Sequence, residues 1–474
     1  MSCLKLLAQH WFISIEMVKK MSQKILWFFF LGLVFVPFKG ISQKTWTLEH
    51  CIAYALEHSF TQETQNYNAE ISKERWRQTK RDMLPTISVS YPRYNVSFGR
   101  TLDGVTNSFV DTRFVSGLSS GLSSSITLFE SFKRWHTLSY QKLIYESSKF
   151  DKQQAQYDLA FKIMDLFNSV LFQEGALEIV KEQQSANVLR QKTITKKVAL
   201  GLVAKAEFYD IEATTSADDL QVLKAKNAVK AAKLTLIQAM NLNTESISII
   251  QDVDMVSLIN NDNLLDIDNI FNVSQTILPS LQQSKIGVET AKKEVAIQKT
   301  RRLPSVRLGA SISTSYSENS IDTSGNTIPF NEQIKNNQSK FIGLSLNYSL
   351  FGNGRTRSSI KIAKIQLEKA ETQLKLEEQR TYKIIQELLQ KNEALIAEEQ
   401  LNLKKVKAKE KAYQIAQKKY EKALISLYEL QLASNTYLTS KIEQVRLMAQ
   451  MAIQKYTLDF YNGTFLLPVI RKSN

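Results

Sequence analysis

The sequence predicts a mainly α-helical protein of long antiparallel helical hairpins, with four membrane-type β-strands per chain and the whole plan laid down twice. Three observations carry this. Arg355 to Asn462 runs for roughly 108 residues without Gly or Pro, in a composition of Ala, Leu, Ile, Glu, Gln and Lys that loses least on entering a helix. Short stretches elsewhere alternate apolar residues with Ser, Gly or Thr, the two-residue period of a strand. The stops and joints of the first half recur in the second at offsets of 219 or 222 residues.

A leader comes first. From Met21, Lys24 supplies positive charge, Ile25 to Val36 is an apolar run, and Gly40-Ile41-Ser42 sets small residues before Gln43. That is the pattern of a secretory signal peptide, so residues 1–42 are expected to be removed, with Met21 the true start. No later stretch reaches the 18 or so unbroken apolar residues of a transmembrane helix.

Thr47 to Arg81 reads as helix and stops at Leu84-Pro85, because the residue before Pro avoids the helical region. Ile87, Val89 and Tyr91 then alternate with Ser88 and Ser90 in a strand expected over about 86–98, with a polar loop to about Arg113. In the second strand, about 114–129, Leu118, Leu122, Ile126 and Leu128 oppose Ser119, Gly121, Ser123, Ser125 and Thr127. An apolar face against a small polar face fits a barrel wall between lipid and water. A hairpin over 131–240 follows, its helices Phe132 to Ala199 and Lys205 to Met240 reversing at Gly201-Leu202-Val203-Ala204. Residues 241–269, rich in Asp and Asn, read as a linker between repeats spanning 43–240 and 270–462.

The programme then recurs. Val273 to Arg302 is helical, stopped by Leu303-Pro304. Strands are expected at about 305–316 and 341–351, where Ile342, Leu344, Leu346 and Leu350 oppose Gly343, Ser345 and Ser349. The hairpin 354–462 reverses at Lys422-Ala423-Leu424-Ile425-Ser426, before a tail over 463–474. From Ala363 a seam steps by fours and threes through Leu367, Ala370, Leu374, Glu377, Thr381, Ile384, Leu388, Lys391 and Leu395, a coiled-coil period. Its longer arm would reach about 100 Å at 1.5 Å per residue.

Composition narrows the function. Without residues 1–42 the chain keeps 56 basic and 45 acidic residues, net +11. A secreted chain meets no genome, and its Lys residues are spread along helix faces, so nucleic acid is not the expected partner. Cys51 is the single cysteine outside the leader, which excludes an internal disulfide. Leu48-Glu49-His50-Cys51 has the outline of a lipid-attachment box, but Glu and His are too bulky there. The four His form no metal-spaced pair, and there is no phosphate-cradling Gly loop or nucleophile elbow, so neither catalysis nor a cofactor is expected. Four strands cannot close a barrel, and open edges are not tolerated in lipid. Three copies would supply twelve.

The duplicated Leu-Pro-Thr/Ser stop, the Leu-Phe strand-to-helix joint and the two turns together resemble outer-membrane efflux channels of the TolC family over about Thr45 to Asn462. The resemblance implies a homotrimer in the outer-membrane lipid, a twelve-stranded barrel continued by a periplasmic helical tube. It implies export of small molecules or proteins through a periplasmic adaptor and an inner-membrane transporter, with no activity of its own. The family's turn pattern is Tyr, two residues, Gly, two residues, Ser, and an acidic residue three further on. The second turn keeps Tyr420, Ser426 and Glu429, with Ala423 for Gly; the first keeps Gly201 and Glu207, with Ala204 for Ser and Val198 for Tyr. Tyr420 and Glu429 are thereby expected to gate or select, and Gly201, Ala204, Ala423 and Ser426 to form the adaptor-docking tips. The family's second acidic ring falls on Leu432, so this repeat keeps at most one. A secreted coiled-coil scaffold or adhesin is the alternative; it accounts for the helices and not for the paired strands.

Overall fold

The computed structural model describes residues 45–102, 107–244, 247–249, 266–465 and 467. The expected leader lies outside these residues, as do most of the linker and of the tail.

The first element is a two-residue strand, β1 (Thr45–Trp46), followed by α1 (Leu48–His58), α2 (Phe60–Arg81), β2 (Thr86–Leu102), β3 (Phe109–Phe129), α3 (Lys133–Ala199) and α4 (Lys205–Ala239). A further short strand, β4 (Ser248–Ile249), pairs in parallel with β1, and the two form a small unit by themselves. The second pass reads α5 (Ile267–Ile277), α6 (Pro279–Thr300), β5 (Ser305–Ser317), α7 (Phe330–Asn336), β6 (Ser339–Asn347), α8 (Arg355–Glu421) and α9 (Leu427–Tyr461).

The duplication is written in helix lengths. Helices α1 and α5 have 11 residues each, α2 and α6 have 22, α3 and α8 have 67, and α4 and α9 have 35. The expectation of unbroken helices over 47–81 and from Val273 to Arg302 is corrected. In the first repeat Ser59 leaves the helix and accepts from Gln62 N at 3.4 Å, capping α2. In the second, Leu278 is extended and Pro279 occupies the first helical turn, where its missing N–H costs nothing. The second break is packed: Leu278 and Leu281 are buried against Phe460, whose ring meets Tyr157 and Phe161 edge to face at 4.6 and 5.0 Å. Helix α5 also starts earlier than expected, capped by Asp266.

The four long strands form one antiparallel sheet in the order β2-β3-β5-β6, which leaves β2 and β6 as free edges. All four helix-joined strand ends lie at one end of the sheet: Thr86 opposes Ser125, Ile126 opposes Leu308, and Ser305 opposes Asn347. The first hairpin is longer than expected, to Leu102 and back from Phe109 rather than to 98 and from 114. A register shift between Ser90 and Arg93 takes up Pro92, which lacks an N–H to donate and is tolerated because β2 is an edge. The fourth strand ends at Asn347 and not near Phe351, because β5 begins at Ser305 and offers no partner beyond that rung. Another irregularity between Thr127 and Phe129 lets Phe129, rather than Leu128, oppose Val306.

Pairing sets the faces. Val306–Leu346, Leu308–Leu344 and Ala310–Ile342 share the apolar side, and Leu346, Leu344 and Ile342 are 70, 67 and 76% exposed. An apolar sheet face left this open in a single chain is the face for lipid.

Both strand-to-helix joints pass through two successive left-handed residues, Ser131–Phe132 at φ 54° and 64° and Asn353–Gly354 at φ 51° and 74°. Helix α3 then packs on α2, α4, α6 and α9, and α8 on α6 and α9. Among the fully buried side chains are Ile163 and Met164 of α3, Leu236 of α4, Ile385 of α8 and Leu447 of α9. The seam of α8 is buried at Ala363, Thr381 and Leu395 and continues to Glu399 and Asn402, but between Thr381 and Leu395 Ile385 is buried in place of the expected Ile384, and Lys391 is exposed. No described helix is long and apolar enough to cross a membrane.

Candidate functional site: the two helix reversals

Both hairpins reverse through the same backbone. In the first, Gly201 N donates to Val198 O at 3.0 Å and Leu202 N to Lys197 O at 2.9 Å. In the second, Ala423 N donates to Tyr420 O and Leu424 N to Lys419 O, both at 2.9 Å. This is the Schellman closure, which needs a left-handed residue just past the helix. Gly201 meets that need at φ 71°; Ala423 occupies it at φ 57° although a Cβ disfavours the region.

The side chains diverge. Ser426 caps α9 through a reciprocal capping box: its Oγ accepts from Glu429 N at 3.2 Å, and Glu429 Oε2 accepts from Ser426 N at 2.9 Å. Ala204, at the same place before α4, has no side chain to cap with. Glu207 therefore has no box to close. It instead accepts from Tyr420 Oη at 2.8 Å, a bond from the end of α8 to the start of α4. Burial first, and the Glu207 acceptor second, push the Tyr420 hydroxyl well above its ordinary pKa, so it stays a neutral donor.

Beneath that bond Ile194, Ile211 and Leu427 are buried together, with Val198, Phe208 and Tyr420 packed against them. Magnitudes separate the roles. Each buried aliphatic contributes about 1.5–3 kcal/mol, against about 1–2 kcal/mol for one hydrogen bond to a half-exposed carboxylate. The apolar cluster contributes more to holding the hairpins together, and the Tyr420–Glu207 bond adds a directional tie between the end of α8 and the start of α4. Further along, Lys441 Nζ meets Glu182 at 2.6 Å, Ser434 Oγ donates to Gln183 at 2.8 Å, and Arg190 reaches Tyr413 Oη at 3.5 Å. All three join the first repeat to the second.

The structure thus brings Tyr420 to a partner in the other repeat and places Glu429, exposed, in the cap of its own helix. Gly201, Ala204, Ala423 and Ser426 all lie exposed on the two reversals. Glu207 was not among the expected gate residues. Its signal was the substitution of Ala204 for Ser, which frees the carboxylate three residues on. Among the described residues no group of His, Cys, Asp and Glu is arranged to hold a metal. Cys51 is buried and burial pushes its thiol up to about 12, which keeps it unreactive.

The sequence pattern of the family described as outer membrane efflux protein matches residues 72–242 and 277–464, well over half of the chain. No curated protein sequence matches. Among solved structures, CusC, studied for folding and transmembrane channel formation, is 15% identical with a TM-score of 0.73, over 88% of this chain and 91% of its own. The outer membrane protein VceC of Vibrio cholerae is 15% identical with a TM-score of 0.70, over 88 and 96%. The CmeC outer membrane channel of Campylobacter jejuni is 14% identical with a TM-score of 0.73, over 90 and 88%. At these identities the likeness is one of fold.

Proposed function

The chain belongs to the outer membrane efflux protein family, and from that premise we propose that three copies assemble into an export duct across the outer membrane. Members of the family are passive outer-membrane channels, so the protein is a transport protein of that membrane, extending into the periplasm, and not an enzyme.

One observation carries the oligomer: the sheet exposes an apolar face and ends in two unpaired edges, β2 and β6. Lipid does not tolerate unpaired backbone groups, and the smallest membrane barrels have eight strands. Pairing β6 of one copy with β2 of the next, three times, closes twelve strands. The helical hairpins then form the periplasmic tube, met at its reversals by an adaptor protein that links it to an inner-membrane transporter. The small side chains Gly201, Ala204, Ala423 and Ser426 let an adaptor's backbone approach. Tyr420, held by Glu207, latches the narrow end. Glu429 adds three carboxylates there, which attract cations as acidic rings do in other pores. A non-pore scaffold or adhesin has no use for an exposed apolar sheet with open edges.

Two substitutions on adjacent residues of β6 test the membrane wall. Leu346→Arg, on the apolar face one rung from the helix-joined end of the sheet, should cost about 1 kcal/mol at that depth and lower the yield of heat-modifiable trimers on a gel. Ser345→Arg, on the other face, should leave trimers intact. Equal tolerance at both positions, or recovery of the parent protein as a soluble monomer, would overturn the duct.

A further inference from the structure

Between its helix-joined end and the rung of Asn95, Gly117 and Ser317, the polar face of the sheet has one charge sign. Register places on it Thr127, Arg307 and Ser345 in one rung and Arg93, Ser119 and Ser315 in another. From the rung of Asn347 and Ser305 to that of Asn95, Gly117 and Ser317 the other positions on this face are Ser, Thr, Gly or Asn, apart from Phe341, and none is a carboxylate. Arg307 is exposed and makes no ion pair among the described residues. An unpaired guanidinium on a wall of hydroxyls and glycines is not holding the sheet together.

We infer that these two basic tiers make the barrel prefer anionic solutes, with Arg307 the determining residue at its inner mouth. The inference rests on the duct reading, in which the polar face lines the lumen. Each Arg then becomes a ring of three. Eight residues of β3 separate the tiers, roughly 27 Å at 3.4 Å per residue. That is several Debye lengths at about 0.15 M salt, so the rings act independently. Each lowers the energy of an anion at its own level and raises that of a cation, in a confined lumen where fields are focused. The solutes favoured are those with a carboxylate, sulfonate or phosphate group. The acidic tip works in the opposite sense at the far end, so the barrel's preference is read most directly with the tip unlatched.

The test uses purified protein in neutral planar bilayers, carrying Tyr420→Phe and Glu429→Gln throughout to loosen the tip and remove its carboxylates, under a tenfold KCl gradient. The reversal potential should lie on the chloride side. Arg307→Gln should lower the chloride-to-potassium permeability ratio about twofold, more at low salt than at high. Arg307→Lys should retain it, which separates charge from shape. A potassium-selective parent, or a ratio unmoved by Arg307→Gln, would overturn the inference while leaving the duct standing. Failure of every variant to form channels would instead remove the duct reading, and this inference with it.

Discussion

The two helix reversals share a backbone and exchange their chemistry. The first spends its glycine on the left-handed position and leaves its N-cap bare, at Gly201 and Ala204. The second accepts a strained Ala423 and invests in Ser426 and a full capping box. Equivalent carboxylates follow different fates: Glu429 closes its own helix, while Glu207 is free to receive Tyr420 from the other repeat. A duplicated hairpin can therefore keep one shape while only one of its copies supplies the latch acceptor. Two replacements make the difference: Ala204 against Ser426 at the N-cap, and Val198 against Tyr420, which leaves the first hairpin without a donor.

The same contrast runs into the sheet, where the largest effect is expected. Gly121 and Gly343 occupy equivalent positions, 222 residues apart. A Cβ on Gly121 would come within 3.0 Å of Ile312 O and 3.2 Å of Ser313 Cβ, neither of which can easily retreat. The three atoms nearest to a Cβ on Gly343 all belong to the Phe341 ring, the far end of a side chain that can swing aside. Gly121→Ala should cost about 2–3 kcal/mol, seen as a lower melting temperature of the trimer, and Gly343→Ala under half of that. Equal losses would break the contrast.

Next is Tyr420→Phe, which deletes the bond and keeps the ring. The loss is about 1–2 kcal/mol, and the sharper readout is a rise in conductance of a previously closed channel. Ser426→Ala should follow at about 1 kcal/mol, the usual value of a cap, without opening the channel, because the latch does not pass through it. At the left-handed position the two turns should respond in opposite directions: Gly201→Ala loses about 1 kcal/mol and Ala423→Gly gains about 0.5, measurable as shifts of opposite sign in urea midpoint. Smallest in stability but most telling is Ala204→Ser. It should add about 0.5 kcal/mol by capping α4, yet draw Glu207 into the new box and away from Tyr420. A protein that is more stable and more leaky would establish the exchange; one that is more stable and equally tight would refute it.

The latch also has a pH signature. The Tyr420 pKa is raised, so the donor's contribution is fully present below the ordinary tyrosine value and is lost only as pH rises through the higher one. Closed-state conductance should be flat between about pH 8 and pH 10, and an opening midway through that range would contradict the assignment.

Much of this was legible in the sequence, for identifiable reasons. Leu84-Pro85 and Leu303-Pro304 end helices by steric exclusion, a local effect that needs no tertiary context. The reversals showed as small residues within otherwise helix-favouring runs. The breaks at Ser59 and Leu278 were missed because one Ser or one Pro at N1 is compatible with helix on either side, and packing around Phe460 decides. The end of β2, from 98 to Leu102, was missed because that polar run carries no two-residue apolar period, and only pairing with β3 marks it as strand. Tyr420 was legible as a residue and Glu207 as its partner was not, since that pairing depends on how the two repeats pack.

The matched helix lengths have a consequence for how such a chain can change. Removing one residue from α8 alone would draw its reversal back by about 1.5 Å and rotate everything beyond by about 100°. Tyr420 would then turn away from Glu207, and every later contact in the seam would slip. Insertions and deletions in the hairpins are thus admissible only in phase, as whole repeats of the seam or as equal edits to both arms. The loops at the far end of the sheet carry no such constraint. Six residues join β2 to β3, while 21 join β5 to β6 and include the helix α7. Length has been conserved to the residue where two helices must stay in step, and has drifted freely where the chain only has to turn round.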